Sequence, residues 1–283
     1  MIKMAQIGLK DLHYAILNED TKDNLRYELP VSVIGAINAI INPTVNTQEL
    51  YADDQLWESV SALGKIEVEI ETAELPLNIR AKLGGHSIEN GVLIEKSTDV
   101  APHVALGFKS LKANGKYRYV WLLKGIAQPM AEDYSTKTDN VEHKTPQLKL
   151  TFMPRANDEE WKHTADEEQG DFIGKDSWFD EVPGAAPLIT IISQTEDITV
   201  TEGSITEEIE IEAAVTGGVD LSYQWYSNNT AGNADGTLIE GATAAEFPIP
   251  TDLTADSYYY YCVLSAEGAE SVVSDVITVT VEI

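Results

Sequence analysis

The sequence predicts a mainly β protein of two domains, the first a β-rich body flanked by one helix, the second a β-sandwich. Three observations predict it. Apolar and polar residues alternate with period two along several stretches, as in strands with one buried face. Only residues 74–83 combine helical spacing with a helix stop. From residue 188 to the end, seventeen Asp or Glu stand without a single Lys or Arg, on short strand-like runs with turn residues at regular spacing. A length of 283 residues allows two cores, and a 43% hydrophobic, 23% charged composition is that of a globular chain.

The first domain is organised around residues 116–129. Tyr117, Tyr119, Trp121 and Leu123 fall on one face of a strand there, with Arg118, Val120, Leu122 and Lys124 on the other. Asn114-Gly115 before it, and Gly125 and Pro129 after it, are turn or bulge signals. Taken in order, residues 1–46 predict short strands and loop, because Pro30 and Pro43 bracket a β-branched run whose spacing is otherwise helical. Residues 49–54 end in an Asp53-Asp54 turn. Residues 64–71 form the cleanest strand, with Ile66, Val68 and Ile70 on one face and Glu67, Glu69 and Glu71 on the other. Carboxylates a strand period apart repel unless solvated or paired, so that face is either a wet exterior or the wall of an acidic channel.

The helix follows, with Pro76 in its first turn, Leu75, Ile79 and Leu83 at four-residue spacing, and Gly84-Gly85 as its stop. Further strands are predicted at 91–95, 103–108, 133–139 and 147–153, a loop at 157–172, and a small apolar anchor at Trp178-Phe179. Residues 181–187, with two prolines, a glycine and small residues, predict a linker, which sets domains at 1–180 and 188–283.

Nineteen basic against 47 acidic residues give a net charge of -28, and all nineteen basic residues lie in 1–187 beside thirty acidic ones. Such a surface repels nucleic acid and anionic membranes, so binding DNA by affinity is excluded, although passing DNA without holding it is not. The first residues lack the apolar run of a signal peptide, and no stretch approaches the ~18 apolar residues of a membrane span. Cys262 has no partner for a disulfide. The expectation is a soluble chain made in the cytoplasm, without membrane insertion.

The sequence predicts no catalytic residue, no cofactor and no metal, hence no enzyme. Its five histidines (His13, His86, His103, His143 and His163) have no ligand spacing. Residues 228–235 lack a calcium-loop pattern, and Gly84-Gly85 stands outside any strand–loop–helix phosphate cradle. Cys262 lies mid-strand in a predicted core, an inert thiol.

Within 188–283, Trp225 stands where immunoglobulin-like sandwiches keep their core tryptophan, and Asp256, Tyr260 and Cys262 carry the Asp, Tyr and Cys spacing of such domains. The domain therefore resembles an immunoglobulin-like β-sandwich. That resemblance implies a core of Trp225, Tyr260 and Cys262, with Tyr260 as the tyrosine-corner residue. Ala213 replaces the first cysteine, so no bridge forms and Trp225 packing holds the core.

Residues 1–180 resemble the major tail tube protein of long-tailed, non-contractile bacteriophages. The resemblance is carried, in order, by His13-Tyr14-Ala15, residues 49–54, residues 64–70, the helix ending Leu83-Gly84, Asn90-Gly91-Val92, residues 102–108 and residues 117–125. It implies a β-sandwich or barrel subunit that closes into hexameric rings, stacked as a hollow tube in the virion tail. It implies partners at the tail tip or initiator, the tape measure and the tail terminator, and transient, non-adhesive passage of DNA. The Glu67, Glu69 and Glu71 face is then expected in the lumen. Intersubunit contacts are expected from residues 1–60 and 130–170. The second domain is expected to project outward, either touching host cell-surface polymers weakly or only spacing and solubilising the tubes. Two other classes compete: a surface adhesin or pilus-like module of two β domains, and the inner tube of a contractile injection machine. Missing secretion signals weigh against the first, and an outer domain where a sheath would sit weighs against the second.

Overall fold

The structure, a computed structural model, describes residues 5–132, 134, 136 and 144–283. It divides into two compact units, residues 1–185 and 186–283. The first contains β1 (Gln6–Asp20), β2 (Leu25–Tyr27), β3 (Val31–Val33), β4 (Ala36–Ala52), β5 (Gln55–Thr72), α1 (Leu77–Gly84), β6 (Ser87–Glu89), β7 (Val92–Ile94), β8 (His103–Lys112), β9 (Tyr117–Ala127), β10 (Gln147–Phe152) and β11 (Lys162–Asp166). Its main sheet runs β2-β1-β8-β9-β10-β5-β4, with β3 also on β1 and β11 also on β9. It is an open sheet, not a closed barrel.

Period-two alternation builds two cores on the two faces of this sheet. On one face Leu12, Tyr14, Ile66, Val68, Ile70, Leu106, Leu122, Leu150 and Phe152 pack together under Ile79 and Leu83 of α1. Burying each such side chain contributes about 1.5–3 kcal/mol. The helix begins after Pro76 and ends where Gly85 turns left-handed at φ +70°. On the other face, over β1, β8 and β9, Ala15, Leu17, Ala105, Trp121 and Leu123 are covered by Trp178, Phe179 and Val182. The Trp121 indole donates to Trp178 O at 2.9 Å, and His13 stacks on Phe179 with ring centroids 4.5 Å apart. Trp121 lies across Gly107, where a Cβ would fall 2.8 Å from the ring. Only glycine fits there.

Three cations tie residues 155–185 to one another and to the strands of this sheet. Lys124 pairs with Asp20 at 2.6 Å, and Asp20 also accepts from the Ala156 and Asn157 N–H groups. Lys112 lies between Asp166 at 2.5 Å and Glu168 at 2.6 Å. Arg155, fully buried, donates to Asp158 at 2.5 Å and to Pro183 O at 2.7 Å. A buried cation with every donor met costs little net, but removing its partner costs several kcal/mol. Val182 and Pro183, in the segment expected as a linker, are thus packed or bonded within the first unit.

Some expectations change. Residues 1–46 hold the short strands β2 and β3, but also the long β1 and most of the long β4. Register shifts at Gln6/Gly8, Lys10/His13 and Ala36/Asn38, and the positive φ of Asp11 and Gly35, break their alternation. The loop expected at 157–172 contains β11, antiparallel to β9. Of the strand expected at 133–139, residues 133, 135 and 137–139 lie outside the described residues, as does His143; Tyr134 and Thr136 are not in a strand.

The second unit is a sandwich. One sheet runs β12 (Ile189–Gln194), β14 (Glu208–Val215), β17 (Glu246–Pro248). The other runs β13 (Ile198–Thr201), β20 (Ile277–Glu282), β18 (Ser257–Ala266), β15 (Leu221–Asn228), β16 (Thr237–Leu238), with β19 (Val272–Val273) on β18. Ile209, Ile211, Trp225, Phe247, Leu264, Ile277 and Val279 fill the core.

Burial raises the pKa of Asp20, but the Ala156 N–H, Lys124 and the Asn157 N–H outweigh it and hold the group below the usual carboxylate range. Its stabilisation is therefore complete above the unfolded value near ~4 and is lost as pH falls through the lower folded value. Asp20→Asn is expected to cost about 3 kcal/mol at pH 7. Urea unfolding at decreasing pH should show the gap between variant and parent closing below about pH 4.

Candidate assembly surface

β4 and β5 form one hairpin because Asp53 and Asp54, with φ of +49° and +60°, make the two-residue turn whose twist suits paired strands. At its root the Thr44 hydroxyl donates to Lys65 O at 2.6 Å, and further out Thr47 and Ser61 hydroxyls meet at 3.1 Å. β10 pairs with β5 only between Ile66 and Glu71. β4 is the terminal strand of the sheet. Beyond the root the hairpin therefore has no strand on either edge among the described residues. Residues 42–63 are exposed, apart from half-buried Ala52. The arm carries Trp57 at 71%, Tyr51 at 63%, Val45 at 61% and Val60 at 57% exposure. A two-stranded hairpin is marginal in water, and exposed apolar side chains on one mark a surface that meets something else.

Register assigns the arm two faces. Val45 pairs with Leu63, Thr47 with Ser61, Glu49 with Ser59 and Tyr51 with Leu56; this face continues the side of Pro43/Ile66 and Ile41/Val68, the side of the first core. Asn46 pairs with Ala62, Gln48 with Val60 and Leu50 with Glu58; this face continues Asn42/Glu67, Ile40/Glu69 and Asn38/Glu71. Trp57 sits at the register shift between Leu50 and Tyr51.

Glu67, Glu69 and Glu71 thus share one sheet face, opposite buried Ile66, Val68 and Ile70. None stands alone. Glu67 meets Lys65 at 2.7 Å, which holds its carboxyl below the usual range. Glu69 meets Lys149 of β10 at 3.1 Å, and Glu71 accepts from the Thr145 hydroxyl at 2.5 Å. Asn38, Asn42, Gln147 and Thr151 flank the row on the neighbouring strands. The arm escaped the sequence reading because register shifts at Pro43/Val45 and Leu50/Tyr51 spoil its alternation. Its one legible signal was Asp53-Asp54.

In the second unit Trp225 and Cys262 lie directly opposite on β15 and β18, both fully buried. The Trp225 indole donates to Ala244 O at 2.9 Å. Tyr260 is buried 5.4 Å from the Phe247 ring, and burial pushes its pKa up to about 12. The hydroxyl that reaches back to the backbone is that of Tyr258, which donates to Thr254 O at 3.1 Å. A bond of this kind marks a tyrosine corner; Tyr258 makes it from the start of β18, while Tyr260, two residues on, packs against the core. Ala213 is partly buried against the same core.

Residues 34–186, just over half of the chain, match the family model described as phage tail tube protein. Residues 190–283 match a second model, described as a domain of unknown function. No curated protein matches the chain.

Burial raises the Cys262 pKa to about 11. At pH 8 a thiol reagent is expected to titrate no cysteine in the native chain and one after unfolding; fast native labelling would contradict the burial.

Proposed function

The chain belongs to the phage tail tube protein family, and on that premise we propose that it is the tube subunit of a long-tailed, non-contractile phage. Subunits close into hexameric rings, and rings stack into the hollow conduit through which the genome leaves. The observation that carries this reading is the open sheet of the first unit with its uncovered arm. A lone chain leaves a long strand edge and an apolar ribbon in water, and ring closure removes both. The chain's role is structural, and its partners are copies of itself, the tail-tip initiator, the tape measure and the terminator.

The face bearing Glu67, Glu69 and Glu71 lines the lumen in this reading. Lys65 and Lys149 temper its charge, so the wall is weakly acidic and rich in amides and hydroxyls. A wall of that kind repels phosphates on balance, because its two lysines are already paired with carboxylates, and DNA slides rather than sticks. The second unit, with no basic residue from 188 to 283, faces outward. Repeated along a tube, it gives weak contacts with host-surface polymers the benefit of avidity.

Negative-stain micrographs of the purified chain, alone and with tail-tip complexes, test the assembly. Hollow tubes or six-fold rings are expected, and failure of both preparations to form them would contradict it. Reversing Glu67, Glu69 and Glu71 to Lys should leave tube assembly intact but slow genome ejection. Unchanged ejection kinetics would remove this face from the lumen.

A further inference from the structure

The second unit spreads its charge unevenly between its two sheets. On the three-stranded sheet, exposed Glu208, Glu210 and Glu212 of β14 alternate with buried Ile209 and Ile211, and Glu210 stands directly opposite Glu246 of β17. Across the six strands of the other sheet the only charged residue, among the described residues, is Glu282 at the end of β20. The remaining carboxylates of the unit lie in loops. An ordinary soluble surface is about 25–35% charged. A sheet face almost without charge, in a unit of seventeen carboxylates, is a departure that calls for a cause.

That face is aromatic and rich in hydroxyls. Register sets Asn228 opposite Tyr259, Tyr226 opposite Tyr261, Gln224 opposite Val263 and Ser222 opposite Ser265, on the side away from the Trp225/Cys262 core. Tyr226 stacks on Tyr261 with ring centroids 5.2 Å apart and planes 5° apart. Tyr261 is itself buried, and its hydroxyl accepts from the Gly236 N–H at 3.0 Å. A Cβ at Gly236 would fall 2.7 Å from the Tyr261 ring, so the loop closes on it tightly. Tyr226 is thereby braced before any ligand arrives. Among the described residues the hydroxyls of Tyr226, Tyr259, Ser222 and Ser265 make no hydrogen bond within the chain. At Ser222 and Ser265 the row opens into a cleft of about 490 Å³, lined also by Asp220 and Glu267. That volume is in the range of small-ligand sites.

Charge and area narrow the occupant. A polyanion is repelled, because residues 188–283 hold seventeen carboxylates and no Lys or Arg. A second copy would bring the same seventeen carboxylates. The face is also small, about 20 Å on a side, so two copies would bury about 800 Å² in all, short of the ~1,200 Å² of a stable pair. A sugar polymer meets both limits: its hydroxyls exchange bonds with serine and tyrosine hydroxyls, and its C–H faces pack on tyrosine rings. We propose that this face, from Tyr259 and Tyr226 to the cleft at Ser222 and Ser265, binds an uncharged polysaccharide. Asp220 and Glu267 accept from sugar hydroxyls at the cleft. The proposal rests on the reading of the second unit as a contact for surface polymers, and it names the face and the class of polymer. Each site is shallow, and repetition along an assembly makes weak binding count.

Electrophoresis of the full-length chain through native gels tests it, each gel holding dextran, laminarin, galactomannan or, as the anionic polymer, polygalacturonate. Relative to a polymer-free gel, at least one neutral polymer should slow the chain roughly twofold or more once its sites reach the Kd, and polygalacturonate should not. Ser222→Glu, at an exposed position, and Tyr259→Ala should each restore free mobility. Glu210→Gln, on the opposite sheet, should stay retarded. Buried Cys262, unreactive toward thiol reagents in every variant, reports that the core of the unit is intact. Retardation that survives both face variants would overturn the assigned face while leaving polymer contact standing. Retardation by polygalacturonate alone would overturn the neutral class. Retardation by no polymer would overturn the proposal and the polymer-contact reading together, with tube assembly scored separately by micrographs. A dimer in sedimentation velocity that the same two variants abolish would assign the face to a second copy instead.

Discussion

A strand at the margin of a sheet must offer its free N–H and C=O groups to something, and here that margin is the seventeen residues of β4. Water satisfies them in the lone chain, but Val45, Leu50 and Tyr51 along the same strand are left exposed to it. Proteins that stay monomeric shorten such an edge, charge it with lysine or cap it. This one places Pro43 on it and three register shifts along its pairing with β5, which deter pairing in an arbitrary register, and no lysine from 36 to 64. The edge is guarded against wrong partners and left open for one that fits it. Much of the molecule follows from holding such an edge steady.

The body does the holding. Its sheet is packed under α1 on one face, and over β1, β8 and β9 the irregular strap through Trp178, Phe179 and Val182 covers the other. The strap has no ladder of its own; Arg155 ties it down through Pro183 O, while Lys112 and Lys124 hold Asp166, Glu168 and Asp20 by buried or half-buried ion pairs. Such pairs contribute less to net stability than an apolar core would, and they specify one arrangement of the backbone they bind. Rigidity at the root and exposure at the tip suit a chain that must present one surface before its partner arrives.

Where alternation was regular, the sequence was readable. The strand through Ile66, Val68 and Ile70, the strand through Trp121 and the helix stop at Gly85 stand where the residues indicate, because one buried face dictates each pattern. The Glu67, Glu69 and Glu71 face was legible for the same reason, but its pairing was not, since Lys149 and Thr145 come from distant sequence. The arm was illegible because bulges shift its register and because exposure on both faces removes the contrast that alternation records. β11 was hidden by a polar composition; its place in the sheet comes from Asp166 meeting Lys112 and Arg118 across 48 to 54 residues of chain. In the second unit the tryptophan and cysteine positions were plain, while the tyrosine that bonds the backbone differed by two residues, a distinction only register makes.

Electrostatics and assembly meet in one question, which side of the sheet looks inward. A net charge of -28 opposes packing many copies together, so the carboxylates that remain on contact surfaces must be paired or kept wet. Glu67, Glu69 and Glu71 are paired within the chain and need no neighbour, which suits the open lumen proposed for their face. A helical reconstruction of the assembled tube by electron cryomicroscopy measures this directly. The account predicts that side chains at 67, 69 and 71 point to the axis, with residues 188–283 at the greatest radius. Density placing those three carboxylates on the outer surface, or buried between subunits, would contradict it.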